Sequence, residues 1–346
     1  MAVASMLHPV YSAKIVKESS SNTTTYQLKD ITTDLVVSQP EAEIAEKATL
    51  SLMNIKNGSS LLSSIIALMD KIYIYSDTGS GAKEVFHGIV WERGIPEDAD
   101  SNELRLLCYD KMIYLQNSKD NLFVKKGKQT KAIITSIGDK WGFKVSYKYA
   151  SISHAKLVFQ NNCIADIMIS VLNEVKKKTG KDYVIYLEKD TIVIDYVGTN
   201  STVYKIAKGQ NAIRCSYVET MEDMVTKVKI VKAETVSKGS GSEETGKYLT
   251  VTSVSKNTSK YGTLQEIIVK GKDDKLSEVK KEADEILKEK SSPDEDSDVE
   301  AIDIPWVKKG HQIYIQTETM NGYYIVKSVE HDATSNIMSL EVEKYE

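Results

Sequence analysis

With 346 residues and a formal net charge of −4 spread over 27% charged positions, the chain is long enough for two or three domains with sizeable cores and has no excess of either sign. That balance gives no general pull toward nucleic acid or an anionic membrane, and no run of about eighteen apolar residues offers a span; neither nucleic-acid binding nor membrane insertion is expected. Nineteen Tyr against four Phe and three Trp suit half-buried strand surfaces and interfaces, where the ring packs and the hydroxyl stays wet.

The start, Met1-Ala-Val-Ala-Ser-Met-Leu-His-Pro9, lacks a basic segment followed by an apolar core, so a cytosol-like compartment or an exit other than Sec is expected. Short alternating runs then recur at Ala13–Lys17, Thr25–Leu28, Ala48–Ile55, Asp70–Tyr75 and Val85–Glu92. Turn clusters such as Asn57-Gly58-Ser59 and Asp77-Thr-Gly-Ser-Gly81 separate them, which predicts a hairpin over 71–91 and a small barrel or sandwich. The character changes after Leu107. A short helix is predicted from a capping Thr130 to Gly138. A longer one is predicted over Cys163–Val175, where Ile164, Ile167, Met168, Val171, Leu172 and Val175 share a face and Gly180 closes the helix. Tyr183–Leu187 and Thr191–Val197 form a hairpin around Glu188-Lys-Asp190, completing a compact α+β module.

Beyond residue 200 the pattern returns to strands, at Val225–Ala233, Tyr248–Val254, Gln265–Val269, Gln312–Gln316, Gly322–Glu330 and Ile337–Val342. One amphipathic helix interrupts them in Asp273–Lys290, with Leu276, Val279, Ala283, Ile286 and Leu287 as its stripe. The acidic Ser291–Asp298 after it contains no apolar residue and reads as a solvated loop.

Reactive constellations lack their second halves. Cys108, Cys163 and Cys215 are odd in number and far apart, which argues against a disulfide framework or a metal knuckle and for inert thiols. The histidines at 8, 87, 154, 311 and 331 show no zinc spacing, and His87 and His331 read as packing or capping residues. Gly241-Ser-Glu-Glu-Thr-Gly-Lys247 fits half of a phosphate-binding loop, but Tyr248 stands where a Ser or Thr is needed and a strand follows instead of a helix. The segment reads instead as the tip, 238–246, of a long hairpin. Acidic clusters at Glu97-Asp-Ala-Asp100 and Asp294–Asp298 look solvated, which suits general-acid work poorly. Basic clusters at 125–128 and 176–178 lack interleaved aromatics. No catalytic residue, cofactor or metal site is expected.

The order of features resembles the XkdQ-type baseplate hub family of contractile phage tails and phage-tail-like bacteriocins, related in fold to phage late-control protein D. The resemblance rests on Asp70-Lys-Ile-Tyr-Ile-Tyr75 with Val85-Phe-His-Gly88-Ile-Val-Trp91, and on Tyr109-Asp110 followed by Tyr114-Leu115. It continues with the helix from Thr130, with Gly180-Lys-Asp-Tyr183, and with Tyr261-Gly262-Thr-Leu264-Gln265. At the end stand Ile304-Pro-Trp-Val-Lys-Lys-Gly310 and Gly322-Tyr-Tyr324-Ile-Val-Lys-Ser-Val-Glu-His331. Asn336-Ile337 occupy the place where the family often has a second His.

The resemblance implies a mainly β chain of two small β-barrel domains plus an α+β insert domain. The parts would be 1–108, 109–200 and 201–346, the last carrying the long hairpin 238–246 and a helix–acidic loop insertion over 272–300. It also implies a non-enzymatic homotrimer that adapts a six-fold tail tube to a three-fold central spike. Its partners would be the tube protein, the spike protein and other baseplate proteins; it would be assembled in the bacterial host cytoplasm and end in a virion or bacteriocin tail. Two other classes remain open: a tail-associated peptidoglycan-cleaving enzyme and a carbohydrate-binding, adhesin-like β protein. Tyr109, Asp110 and Tyr114 are expected to mark the junction where the first barrel meets the insert, with Asp110 capping the turn into Lys111–Leu115.

Overall fold

The computed structural model describes residues 8–18, 22–96, 102–238, 241–271 and 275–345, the side chains of 234–238, 241–246 and 296 excepted. Among the described residues strands far outnumber helical positions, the mainly β class expected. Two compact units form: one comprises residues up to Ser216 together with Ser297 onward, the other Tyr217–Asp296.

The first unit opens with β1 (Val10–Glu18), β2 (Thr23–Gln27), β3 (Thr32–Gln39) and β4 (Lys47–Met53), followed by the short pair β5 (Lys56–Asn57) and β6 (Ser60–Leu61) and by α1 (Leu62–Ile65). β7 (Lys71–Asp77), β8 (Lys83–Gly94) and β9 (Glu103–Tyr109) complete this run. Alternation does the work: in β7, Ile72, Ile74 and Ser76 turn inward while Lys71, Tyr73 and Tyr75 turn out. The α+β part follows as α2 (Ile113–Asn117), β10 (Lys119–Val124), α3 (Thr130–Lys140), β11 (Lys144–Tyr147), β12 (Leu157–Cys163), α4 (Ile164–Thr179), β13 (Tyr183–Glu188) and β14 (Thr191–Tyr196). α4 buries the stripe read from the sequence, and Gly180 ends it in the left-handed conformation at φ +68°.

α3 departs from expectation at both ends. Gln129 holds the N-cap position, Thr130 lies inside the helix, and the helix runs on through Gly138. Gly138 is needed for packing: a Cβ there would sit 2.3 Å from Val145 Cγ2.

β15 (Tyr204–Ala207) and β16 (Ala212–Thr220) lead toward the second unit. It contains β17 (Lys227–Lys238), β18 (Gly241–Ser255), α5 (Thr258–Tyr261), β19 (Gln265–Lys270) and α6 (Leu276–Lys290). The β17–β18 ladder reaches Lys238 and Gly241, into the segment expected as the hairpin tip; residues 239–240 lie outside the described set, as does the first acidic cluster, 97–100. α6 lays Val279, Ala283 and Leu287 on Val228 and Ile230, which gives this unit a small core of its own.

β20 (Asp294–Ile302), β21 (Gln312–Gln316), β22 (Asn321–Asp332) and β23 (Ile337–Lys344) close the chain. The acidic segment expected as a loop therefore already belongs to a strand from Asp294. Ser297, Val299 and Ala301 alternate inward, and residues 298–302 pair with β23. An apolar partner every second residue lets a strand tolerate acidic neighbours on its wet face.

The expected pair of barrels takes another form. Thirteen strands make one sheet in the order β16-β20-β23-β22-β3-β4-β9-β8-β7-β1-β2, with β21 joined to β22 and β15 to β21, and no closed barrel is found among the described residues. The cause is β3, which sequence patterning passed over: it pairs with β4 on one edge and with β22 on the other, from Val36↔Asp332 to Gln39↔Val329. The N-terminal strands thus continue into the C-terminal ones across this seam.

Candidate functional site: the junction around the β3–β4 connection

The connection from Pro40 to Glu46 is held from three sides. Ile44 and Ala45 plug into the core built by α2, α3 and α4. Gln116 of α2 donates from Nε2 to the Glu43 carboxylate (3.2 Å) and accepts from the Ala45 N–H (3.4 Å). From the C-terminal side, the Lys309 ammonium donates to the carbonyls of Pro40 (2.7 Å), Glu41 (2.6 Å) and Glu43 (2.9 Å). Three carbonyls use all three N–H groups of one ammonium. Burial pulls the Lys309 pKa down to about 8, which Glu41 and Glu43 oppose.

Asp110 closes the same knot. Its N–H donates to the Glu46 carbonyl (3.0 Å), the Glu46 N–H donates back to Asp110 Oδ2 (3.2 Å), and the Met112 N–H donates to Asp110 Oδ1 (2.8 Å). The last bond caps the turn into α2. Burial, then the nearby Glu46 carboxylate, push the Asp110 carboxyl up to about 7 against the two backbone donors and Lys308. Lys308 in turn lies 3.6 Å from Glu46. Beside Asp110, the Trp91 ring stands edge-to-face to Tyr109 (6.3 Å) and Tyr114 (5.9 Å), so β8, β9 and α2 share one aromatic cluster.

His331 is buried at the seam. Its Nδ1 faces Asp303 Oδ1 (2.6 Å) and its Nε2 faces the Val307 carbonyl (2.9 Å), while the Tyr11 hydroxyl donates to Asp303 Oδ2 (2.6 Å). Burial, reinforced by Asp303, pushes the Tyr11 phenol far up. The network ties β1 to the segment after β20 and to β22, and the polar atoms it joins are used up in the joining. Gly310 adopts φ +82°, and a Cβ there would lie 2.7 Å from Val184, so only glycine lets this turn meet β13. Tyr324 is buried in the C-terminal core.

Tyr261, Gly262, Leu264 and Gln265 fall in the other compact unit. There Gly262, at φ +80°, and Leu264 wrap the buried Thr226: its hydroxyl donates to the Gly262 carbonyl (2.7 Å) and accepts from the Leu264 N–H (2.8 Å). Tyr261 ends α5, and Gln265 opens β19 opposite Lys227. The motif residues are thus spread over several structural knots instead of meeting in one cleft.

One arrangement escaped sequence reasoning. His154 stands between Thr130 Oγ1 (2.8 Å from Nε2) and Glu174 Oε2 (2.6 Å from Nδ1), a hydroxyl–imidazole–carboxylate row. In a hydrolase that row would activate a nucleophile. Here Thr130 is 0% exposed and its oxygen already accepts from the Ile152 N–H (3.0 Å). What the row does is tie the start of α3, through the loop between β11 and β12, to α4. Partners 20 and more residues apart leave no local spacing by which to foresee it. No group of three or more His, Cys, Asp or Glu able to hold a metal occurs among the described residues, and no helix among them is long and apolar enough to cross a membrane.

Comparison with known proteins gives a consistent answer. A family model described as YQBQ-like matches residues 41–343. The chain is 26% identical over 270 residues to the phage-like element PBSX protein XkdQ of Bacillus subtilis (strain 168), covering 75% of this chain and 78% of that one. Among solved structures, the tail protein from Neisseria meningitidis MC58 superposes with a TM-score of 0.65 at 12% identity, covering 96% of both chains. The 43 kDa tail protein of prophage MuSo2 from Shewanella oneidensis also reaches 0.65, at 11% identity over 96% of this chain and 98% of that one.

Proposed function

This chain belongs to the YQBQ-like family, and from that premise we propose that it is the structural hub of a contractile-tail baseplate, without enzymatic activity. Three copies form a ring that adapts the six-fold tail tube to the three-fold central spike. Each copy contributes an N-terminal and a C-terminal strand region, so six similar units surround the axis. The three-part division into 1–108, 109–200 and 201–346 belongs to this reading, with Tyr109, Asp110 and Tyr114 marking the first boundary. Its partners are the tube protein, the spike protein and other baseplate proteins. It is assembled in the host cytoplasm and carried in the tail of a virion or bacteriocin particle.

The observation that carries this reading is the use of the chemically distinctive side chains. Asp110, His154, Asp303, Lys309 and His331 are each engaged in ties between distant segments. Likeness in fold to two tail proteins along nearly the whole chain supports it. Tagging the chain in its host and isolating sedimentable tails tests the proposal. The expected result is three-fold density for the chain on the axis of the baseplate; a chain confined to the soluble fraction that cleaves peptidoglycan overturns it.

A further inference from the structure

The unit Tyr217–Asp296 displays two exposed apolar strips of opposite charge. The first lies on the sheet β18-β17-β19, on the face that α6 leaves uncovered. Partners in the parallel β17–β19 ladder lie side by side, so half-buried Lys227 with exposed Gln265 and half-buried Lys229 with exposed Ile267 project together, while Val231, beside exposed Val269, is itself buried. Val228, Ile230 and Ile268 turn the other way, against α6. Ile267 and Val269 are 54% and 53% exposed, and among the described residues β19 has no strand on its outer edge. The second strip is the end of β16 and the turn after it. There Tyr217, Val218 and Met221 are 40%, 49% and 42% exposed, interspersed with exposed Glu219, Glu222 and Asp223. The neighbouring strand β20 adds exposed Asp294 and Glu295.

We propose that the basic strip of one copy docks on the acidic strip of the next, making this unit a head-to-tail contact between copies of the chain. Each strip combines exposed aliphatic area with one sign of charge, the pairing that lets desolvation hold a contact while charge selects and steers it. A basic strip set against its own twin would place lysine on lysine, so the complementary strip is favoured and the contact has a direction. Directional contacts close into rings when the rotation between copies permits. Only that closure, at three copies, rests on the hub reading.

Sedimentation velocity of the full-length chain at low and high salt tests the contact, with circular dichroism as the control for folding. The wild type should associate reversibly and less at high salt. The Lys227→Glu/Lys229→Glu variant and the Glu222→Lys/Asp223→Lys variant should each associate at least about tenfold more weakly. A chain carrying all four reversals should recover. A wild type that stays monomeric up to the order of 100 µM, or association indifferent to both reversals, overturns the proposal. A three-fold assembly insensitive to the reversals removes this contact and leaves the hub reading standing; strip-dependent association that never closes at three does the opposite.

Discussion

In the larger unit Asp110, Asp303 and His331 are buried and held by hydrogen bonds to segments far away in sequence, whereas the smaller unit leaves Glu222 and Asp223 exposed and Lys229 half-buried, all near exposed aliphatic side chains. Buried polar groups that satisfy one another specify a single arrangement of the chain, because any other arrangement leaves them unpaired. Exposed charge mixed with apolar area specifies little within the chain and is suited to a surface presented to something else. The contrast agrees with a firmly tied seam between the N- and C-terminal strands and with the contact proposed for the unit Tyr217–Asp296.

The largest effect should come from the sheet itself. A Cβ at Gly88 would stand 2.2 Å from the Tyr109 carbonyl oxygen. Gly88→Val should therefore cost on the order of 4 kcal/mol and register as a lower urea midpoint or loss of folded protein. Leu287→Ala, in the small core under α6, should cost about 3 kcal/mol. Hydrogen exchange should place that loss in 217–296 and leave the amides of β3, β4 and β22 unchanged; loss of protection in both units would break the comparison.

Asp110→Ala strands the N–H groups of Glu46 and Met112 and should cost about 2 kcal/mol in a chemical-denaturation series. The same carboxyl has a pH signature. In the folded chain it keeps its proton up to about pH 7, whereas its ordinary pKa is 3.8. Between those values the folded state binds more protons, so this group's contribution to stability falls as pH rises and levels off above pH 7. Asp110→Asn should flatten that part of the stability profile; an unchanged slope would contradict the assignment. The smallest effect belongs to the exposed Lys111–Asp190 pair, where Lys111→Ala should shift stability by no more than about 0.5 kcal/mol.

What could be read in the sequence was local. The stripe of α4 and its closing Gly180, the β13–β14 hairpin and the stripe of α6, apart from Leu276, which stands exposed on the first turn, follow from spacing within one element. The seam did not, because β3 reads Thr-Thr-Asp-Leu-Val-Val-Ser-Gln, an imperfect alternation whose pairing with β22 lies almost 300 residues away. β20 was hidden for a related reason: its first residues are acidic, and only the inward turn of Ser297, Val299 and Ala301 marks it as a strand. At the junction, the Asx turn of Asp110 onto Met112 was legible from two-residue spacing. The reciprocal bond to Glu46 and the Lys309 clamp were not, since a lysine and the carbonyls it meets carry no periodic signal.

The central claim, a ring-forming structural hub, is tested most directly by cryo-electron microscopy of the full-length chain mixed with the tube and spike proteins of the same particle. The expected result is a three-fold ring around an open axis, with the β3–β22 seam intact in every subunit. A chain that stays monomeric and unattached in that mixture would contradict it.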